Sequence, residues 1–486
     1  MTNRRELLIG GAGLLGLIAL APEQALAQAA APWTVGWADV EADIAPRRMR
    51  RISGRAPAWL EGTLYRNGPA KFRRPGASAT HWFDGDGLVR SFRLGEGEAT
   101  LAARFVDTPK RRQEAAADAM IVPGFGTPGR ADARIGSADD ANAANTSVLP
   151  VGGDVWALWE GGSPFAVDGR TLETRGAVTL GENLAGTPFL AHPRVEPDGT
   201  VWNLGVMGGR AVVWKLSRDG ALQSITPVAL PRASYLHDFT ATRSKLVIVL
   251  QPWFHTVSRP PFVEGLRWRP DEGTQVLVLD KADLSQRRTY DLPAFSFFHL
   301  GDAWEDGQDI RFDVCAAPDP AMGVQGARDV LLGRTAHGAG NTRLAQAVLR
   351  ANGASELIRT GSIAEFPQSD PRRAGLPRRF PAHAAEGVSD VWASAVAVRD
   401  WRDGREAKFD FGRDHLVEEH VYVPAPGREA EEDGYLLGTT VNLRARATEL
   451  HLFRLARVSD GPVASWRADV ALPIGFHGRY APGARG

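Results

Sequence analysis

From residue 28 to residue 486 the chain returns again and again to short apolar or alternating runs, each closed by Gly, Pro, Asp or Asn. The runs "GTLYRNG", "LVRSFRL", "DVWALWEGG", "KLVIVL", "TQVLVLD", "EEHVYVP" and "ELHLFRLA" are typical. Runs of this length between turn residues are strands. Without the strand–helix rhythm of a parallel sheet, so many of them predict an all-β architecture. Stretches such as "DGTVWNLGVMGGRAVVWKLSRDG" read strand, turn, strand, which is the texture of a propeller blade, although a large sandwich would read similarly. Helix is expected only at residues 342–353 ("TRLAQAVLRANG") and 110–121 ("KRRQEAAADAMI"). Residues 319–381, rich in Gly, Arg and Ala, read as long excursions that carry or cover a site. No break in composition marks a second domain, so residues 28–486 are expected to form one.

The N-terminus is a separate object. Arg4 and Arg5 precede an apolar run ending near Ala21, and Ala25-Leu26-Ala27 supplies a small-x-small cleavage site. The run is shorter than the roughly 20 residues a membrane-spanning helix needs. Residues 1–27 are expected to be a twin-arginine export signal that delivers the protein to the periplasm; an uncleaved membrane anchor is the alternative. Lys+Arg and Asp+Glu both total 57, so the formal charge is zero and no broad nucleic-acid surface is expected. The single cysteine, Cys315, excludes an internal disulfide and a thiolate metal cluster, and reads as a small core residue.

Four of the eleven histidines stand in similar surroundings, each ending an apolar or aromatic run. They are His192 in "FLAHPRVEPDG", His237 in "YLHDF", His299 in "SFFHLGDAWEDG" and His477 in "IGFHGRYAP". Their spacing puts them on different strand pairs, and the inner strands of a propeller would let such distant residues meet on its axis. Four imidazoles without a thiolate suit a borderline divalent metal: iron, zinc, copper or nickel. Each ligand imidazole needs an acceptor for its second ring N–H. Glu160, Glu365 and Glu419 stand in apolar company and are candidates. Strand alternation puts Glu419 on the face of Val421 and Val423, opposite His420 and Tyr422.

Taken together, "LEGTLYRNGPAKF", "THWFDGDGLVRSFRL", "ANTSVL", "LWEGGSPFAVD", "AHPRVEPDG", "YLHDFTAT", "FFHLGDAWEDG", "EEHVYVPAPG" and "GFHGRYAP" resemble the carotenoid cleavage oxygenases. That family includes apocarotenoid oxygenases, lignostilbene dioxygenases and the retinoid isomerase. The resemblance implies a seven-bladed β-propeller with Fe(II) held on its axis by His192, His237, His299 and His477. It further implies that Glu160 accepts a hydrogen bond from the ring of His237, Glu365 from that of His299 and Glu419 from that of His477, and it leaves His192 without a glutamate. Thr146, in "ANTSVL", matches a position beside an open coordination site. Asp302 stands where the family commonly has Asn, and His420 where it commonly has Pro.

The implied reaction is oxidative cleavage of a C=C bond by O2 into two carbonyl products, without a flavin, an external reductant or an obligatory acid–base residue. The substrate class is a hydrophobic alkene, an apocarotenoid or carotenoid being favoured over a stilbenoid or phenylpropanoid. Phenol-cleaving relatives use a lysine and a tyrosine near the 4-hydroxyl; Lys110 is the one plausibly placed lysine, and none of the six tyrosines is clearly its partner. An iron-dependent isomerase and a non-catalytic lipid-binding propeller are the alternatives from other classes. The apolar loops at residues 119–129 and 251–268 are expected to line a tunnel or to make peripheral membrane contact.

Overall fold

The run "KLVIVL" forms a strand, Lys245–Leu250, in which all residues but the first are buried. A strand with no solvent face needs a sheet packed on each side. The computed structural model, which describes residues 31–257, 260–389 and 391–483, meets that need with seven antiparallel blades in those residues. The expected export signal lies outside the described residues. Among the described residues no helix is long and apolar enough to cross a membrane.

The blades follow one another along the chain, and their innermost strands surround the axis. In order these are Gly478–Pro482, Ser147–Val151, Arg194–Val195, Thr240–Ala241, Leu300–Asp306, the second half of Ser355–Gln368, and His415–Val423. Ser355–Gln368 serves two blades: its first part pairs with Arg343–Leu349 and its last part with Ala382–Ala385. Ring closure uses both ends of the chain. The C-terminal Gly478–Pro482 pairs with Gly62–Arg66 as the innermost strand of the first blade. The N-terminal Arg50–Gly54 pairs with Ala464–Arg467 as the outermost strand of the seventh. Apolar clusters fill the spaces between blades, such as Leu64, Phe92, Val421, Val423 and Trp466 between the first and seventh.

Two sequence expectations need correction. Residues 342–353 are not helical; Arg343–Leu349 is a strand in the fifth blade. Its Leu, Ala and Gln content favours helix, but Leu344 to Leu349 are all buried, and pairing on both edges overrides intrinsic propensity. For the same reason residues 319–381 are not one long excursion, since they contain this strand and Ser355–Gln368. The other helix is present as Pro109–Ala117, capped by the Thr108 hydroxyl, which accepts from Arg111 N at 3.2 Å.

That helix is pinned by a buried ionic triad. Lys110 Nζ lies 3.0 Å from Asp86 Oδ1 and 2.6 Å from Glu114 Oε2, with all three side chains at most 2% exposed. Burial disfavours the ammonium, but the two carboxylates outweigh it and raise the Lys110 pKa. Removing the cation would leave Asp86 with Arg74 alone, at 2.7 Å, and Glu114 with no cation, only the Val122 N–H at 3.0 Å. Lys110→Met is therefore expected to cost about 3–5 kcal/mol, read as a lowered urea midpoint. An unchanged midpoint would show that the triad contributes nothing net.

Candidate metal centre

Each blade delivers one side chain to the axis at or just before its innermost strand. His477, Thr146, His192, His237 and His299 directly precede or closely approach the inner strands of blades one to five, while Glu365 and Glu419 lie within those of blades six and seven. The ring therefore gathers residues that the sequence holds up to 285 positions apart, as between His192 and His477. One nitrogen from each of the four histidines lies within 4.8 Å of those of the other three.

The carboxylates decide which nitrogen faces the centre. His237 Nδ1 donates to Glu160 Oε2 at 2.6 Å, His299 Nδ1 to Glu365 Oε2 at 2.6 Å, and His477 Nδ1 to Glu419 Oε1 at 3.0 Å. With Nδ1 protonated, the Nε2 atoms of these three rings carry lone pairs. His192 Nε2 lies 3.0 Å from His237 Nε2. A proton on His192 could satisfy one of the facing lone pairs; a cation satisfies all four. Metal–imidazole bonds of about 2.1 Å put neighbouring donors about 3 Å apart in an octahedron, so the residues fit a bound divalent metal.

The electrostatics agree with neutral donors around a cation. Burial first, then the neighbouring imidazoles, hold His192 well below the ordinary histidine range. Burial pushes His477 down to about 4, offset only in part by Glu419. At His299 burial is outweighed by Glu365, and the pKa is raised; a field that favours a proton there equally favours a metal ion. Burial would raise Glu419, but His477, Arg66 and the Gly478 N–H, which donates at 2.7 Å, hold it below its usual range.

Residues not foreseen in the sequence support this arrangement. The Tyr235 hydroxyl donates to Glu160 Oε1 at 2.9 Å, and Gln368 Nε2 donates to Glu419 Oε1 at 2.9 Å. A register shift between Val417 and His420 turns two successive carboxylates toward the 475–478 segment. Glu418 Oε1 accepts from Gly475 N at 2.6 Å and lies 3.5 Å from both Arg66 and Arg90. Past the bulge the expected alternation holds, with Val421 and Val423 packed toward the first blade and Tyr422 toward the sixth. Asp302, one of the departures from the family pattern, pairs with Arg378 at 3.0 Å and accepts from Ser369 at 2.7 Å. His420, the other, bonds the Glu418 carbonyl through Nδ1 at 2.9 Å.

Two cavities reach the centre. One, of about 530 Å³, is walled by Phe83, Phe125, Phe298, Tyr235 and Trp82 and reaches His237, His299, His477 and Thr146. Phe298 packs edge-on to His237 at 5.3 Å and to Phe83 at 5.6 Å. Of the two loops expected to line it, 119–129 places Phe125 in the wall, held by Asp84, which accepts from the backbone N–H groups of Phe125, Gly126 and Thr127 at 2.6–3.0 Å. Gly124 permits that approach, since a Cβ there would lie 2.3 Å from Asp84 Oδ1. From the 251–268 stretch Trp253 instead stands behind the wall, packed on Tyr235 at 4.9 Å, and none of its described residues lines the cavity. Lys110 does not reach the cavity, because Asp86 and Glu114 hold it, and no lysine lines this space among the described residues. The second cavity, of about 220 Å³, is polar and reaches His192, His299 and His477.

Four imidazoles placed to hold a metal ion on the axis of a seven-bladed propeller, beside an aromatic cavity, define the class of metal-dependent propeller proteins. The chain matches the retinal pigment epithelial membrane protein family over residues 37–482 and belongs to that family, the carotenoid cleavage oxygenases. It is 28% identical to the apocarotenoid-15,15'-oxygenase of Synechocystis sp., covering 88% of this chain and 92% of that protein. It is 27% identical to the isoeugenol monooxygenase of Pseudomonas nitroreducens, covering 89% and 94%, and 25% identical to the carotenoid isomerooxygenase of Galleria mellonella, covering 89% and 93%. A solved structure of the cobalt-substituted Synechocystis apocarotenoid oxygenase superposes with a TM-score of 0.83 at 24% identity, over 93% of this chain and 98% of that one.

His237→Ala is expected to lose most bound metal while keeping its β-sheet circular dichroism; full metal content would remove that imidazole from the site. Glu365→Gln, which keeps the shape but weakens the Nδ1 acceptor, is expected to lower metal affinity or turnover about 10–100-fold. Wild-type values for both would count against the carboxylate's role.

Proposed function

We propose that the protein is a ferrous-iron dioxygenase that cleaves one C=C bond of an apocarotenoid-type polyene into two carbonyl products. The observation that carries this reading is the convergence of His192, His237, His299 and His477 at the end of an aromatic cavity. Its volume of about 530 Å³ lies within the roughly 300–1,000 Å³ range of small-molecule sites. Membership of the carotenoid cleavage oxygenases supports the reaction class.

When bound, ferrous iron supplies the centre at which O2 is activated. Every other contribution belongs to the chain. Glu160, Glu365 and Glu419 keep the Nδ1 protons of three imidazoles and so hold each Nε2 lone pair on the axis. Phe83, Phe125 and Phe298 exclude water and hold an extended alkene beside the centre. Thr146, whose hydroxyl donates to Asn145 Oδ1 at 3.1 Å, lines the cavity beside the histidines and would limit access to iron held there. One C=C becoming two C=O consumes both atoms of one O2, so no separate reductant enters.

Stilbenoid or phenylpropanoid cleavage is the second reading, favoured by the similarity to isoeugenol monooxygenase and by the aromatic walls. Against it, Tyr235 already spends its proton on Glu160, and no lysine lines the cavity among the described residues. An isomerase would return product of unchanged mass. Incubating the Fe(II)-loaded protein in air with an apocarotenal and, separately, a hydroxystilbene decides among these. Loss of polyene absorbance with two aldehyde fragments, abolished without O2, is the expected result. Fragments from the stilbene alone, or conversion under argon, would overturn it.

We also infer export to the periplasm through the paired Arg4-Arg5 and Ala25-Leu26-Ala27, with peripheral membrane contact at the cavity rim, where Val388 is 49% exposed. Cell fractionation is expected to recover a periplasmic protein lacking residues 1–27 that sediments with lipid vesicles. Full-length protein confined to the cytoplasm would refute this.

A further inference from the structure

The polar chamber behind the metal centre contains a cation that no carboxylate pairs. Four carboxylates line it, and each is engaged. Asp238 lies 2.7 Å from Arg194, and Glu196 lies 2.6 Å from Lys281. Asp302 lies 3.0 Å from Arg378, and Glu419 bonds His477, Gln368 and Gly478 N. Arg479 is left over. Its Nη2 donates to the Pro193 carbonyl at 2.6 Å, and it makes no ion pair among the described residues. That bond sets the guanidinium beside the residue that follows His192.

His192 is the odd member of the metal centre in the same sense. Three imidazoles give their Nδ1–H to glutamates; His192 bonds only through Nε2 among the described residues and borders the chamber. The same small space thus holds one imidazole lacking an acceptor and one guanidinium lacking an anion. A guanidinium presents a planar fork that matches a carboxylate-like group at two oxygens. A volume of about 220 Å³ admits such a group with water.

We propose that the chamber binds a small planar oxyanion of the formate, acetate or bicarbonate class between Arg479 and the Nδ1–H of His192. The bound anion takes the place that glutamate takes beside the other three histidines. Asp302 and Glu419 face the same space and favour the Arg479 cation from a distance, but neither forms an ion pair with it among the described residues, and both already accept from other donors. The site rests on His192 facing the axis through Nε2, and it does not depend on which alkene is cleaved.

Isothermal calorimetry with sodium formate, at constant ionic strength in chloride, tests this on metal-loaded and metal-free wild-type protein, Arg479→Met and Arg479→Lys. The expected result is saturable binding to both wild-type forms, at least tenfold weaker in Arg479→Met, with circular dichroism and metal content unchanged. Arg479→Lys, which keeps the charge without the fork, is expected to fall between and remains informative should the methionine variant fold poorly. Absence of saturable binding to wild type, or equal affinity in wild type and Arg479→Lys, would overturn the proposal. Binding confined to the metal-loaded forms would also overturn it, by making formate a metal ligand. Loss of the four-histidine reading shows separately, as metal content insensitive to His237→Ala.

Discussion

A carboxylate that accepts from an imidazole Nδ1 settles two things at once: where the ring points and which nitrogen keeps a lone pair. Three such bonds, from Glu160, Glu365 and Glu419, organise the axis of this propeller. Each brings a carboxylate into a partly or wholly buried position, which costs free energy unless donors surround it. Glu419, at 2% exposure, has His477, Gln368 and Gly478 N as donors; Glu160 has His237 and Tyr235. The imidazoles gain orientation from the carboxylates, and the carboxylates gain donors from the imidazoles. Neither set is stable in its place without the other. Four lone pairs left facing one point then repel, and a divalent cation relieves that repulsion.

Why residues so far apart in sequence arrive together follows from the blades. The inner strands converge on the axis, so a residue at the start of each is carried there whatever lies between. The last of them, Gly478–Pro482, belongs to a blade whose other strands come from the N-terminal part of the chain. His477 therefore reaches its place only when the ring has closed. Closure and completion of the site are a single event, and the buried Arg66, Arg90, Glu418 and Glu419 cluster lies across that joint.

The residues whose positions the sequence declared were those whose chemistry conflicts with their surroundings. A histidine inside "YLHDF" or a glutamate inside "SIAEFP" is costly in apolar company, and that conflict marks His237 and Glu365 in the sequence itself. Strands marked themselves through their turn residues. What stayed hidden depended on partners. "RLAQAVL" reads as helix on local preference, and only the strands on both its edges make it extended. Lys110 seemed free to meet a phenol because nothing local reveals Asp86, 24 positions earlier, as its partner. Tyr235 lies two residues before His237 in irregular backbone just ahead of the inner strand, and no periodicity of the sequence reveals its contact with Glu160. Glu418 was masked by the same alternation, which a bulge then broke.

The two cavities give the centre two unlike sides. Toward the aromatic cavity the walls nearest the histidines are largely aromatic, with polar groups such as Glu386, Ser389 and Arg413 also in the lining, so the ring-lined part holds a molecule by shape and by exclusion of water. Toward the chamber the wall carries charged groups, Arg194, Glu196, Asp238, Lys281, Asp302, Glu419 and Arg479, among apolar ones such as Phe366 and Leu300, and of its Lys and Arg side chains Arg479 alone makes no ion pair among the described residues. An apolar alkene has no reason to pass into that chamber, where it would strip water from ion pairs without replacing any bond. Small polar species have no reason to linger among the phenylalanines. The metal ligands stand at the boundary, with His299 and His477 bordering both spaces and His192 the chamber alone. Because His192 is the one imidazole of the four without a glutamate, an anion bound in the chamber would act on that donor most directly. The other three imidazoles have their acceptors supplied by the fold.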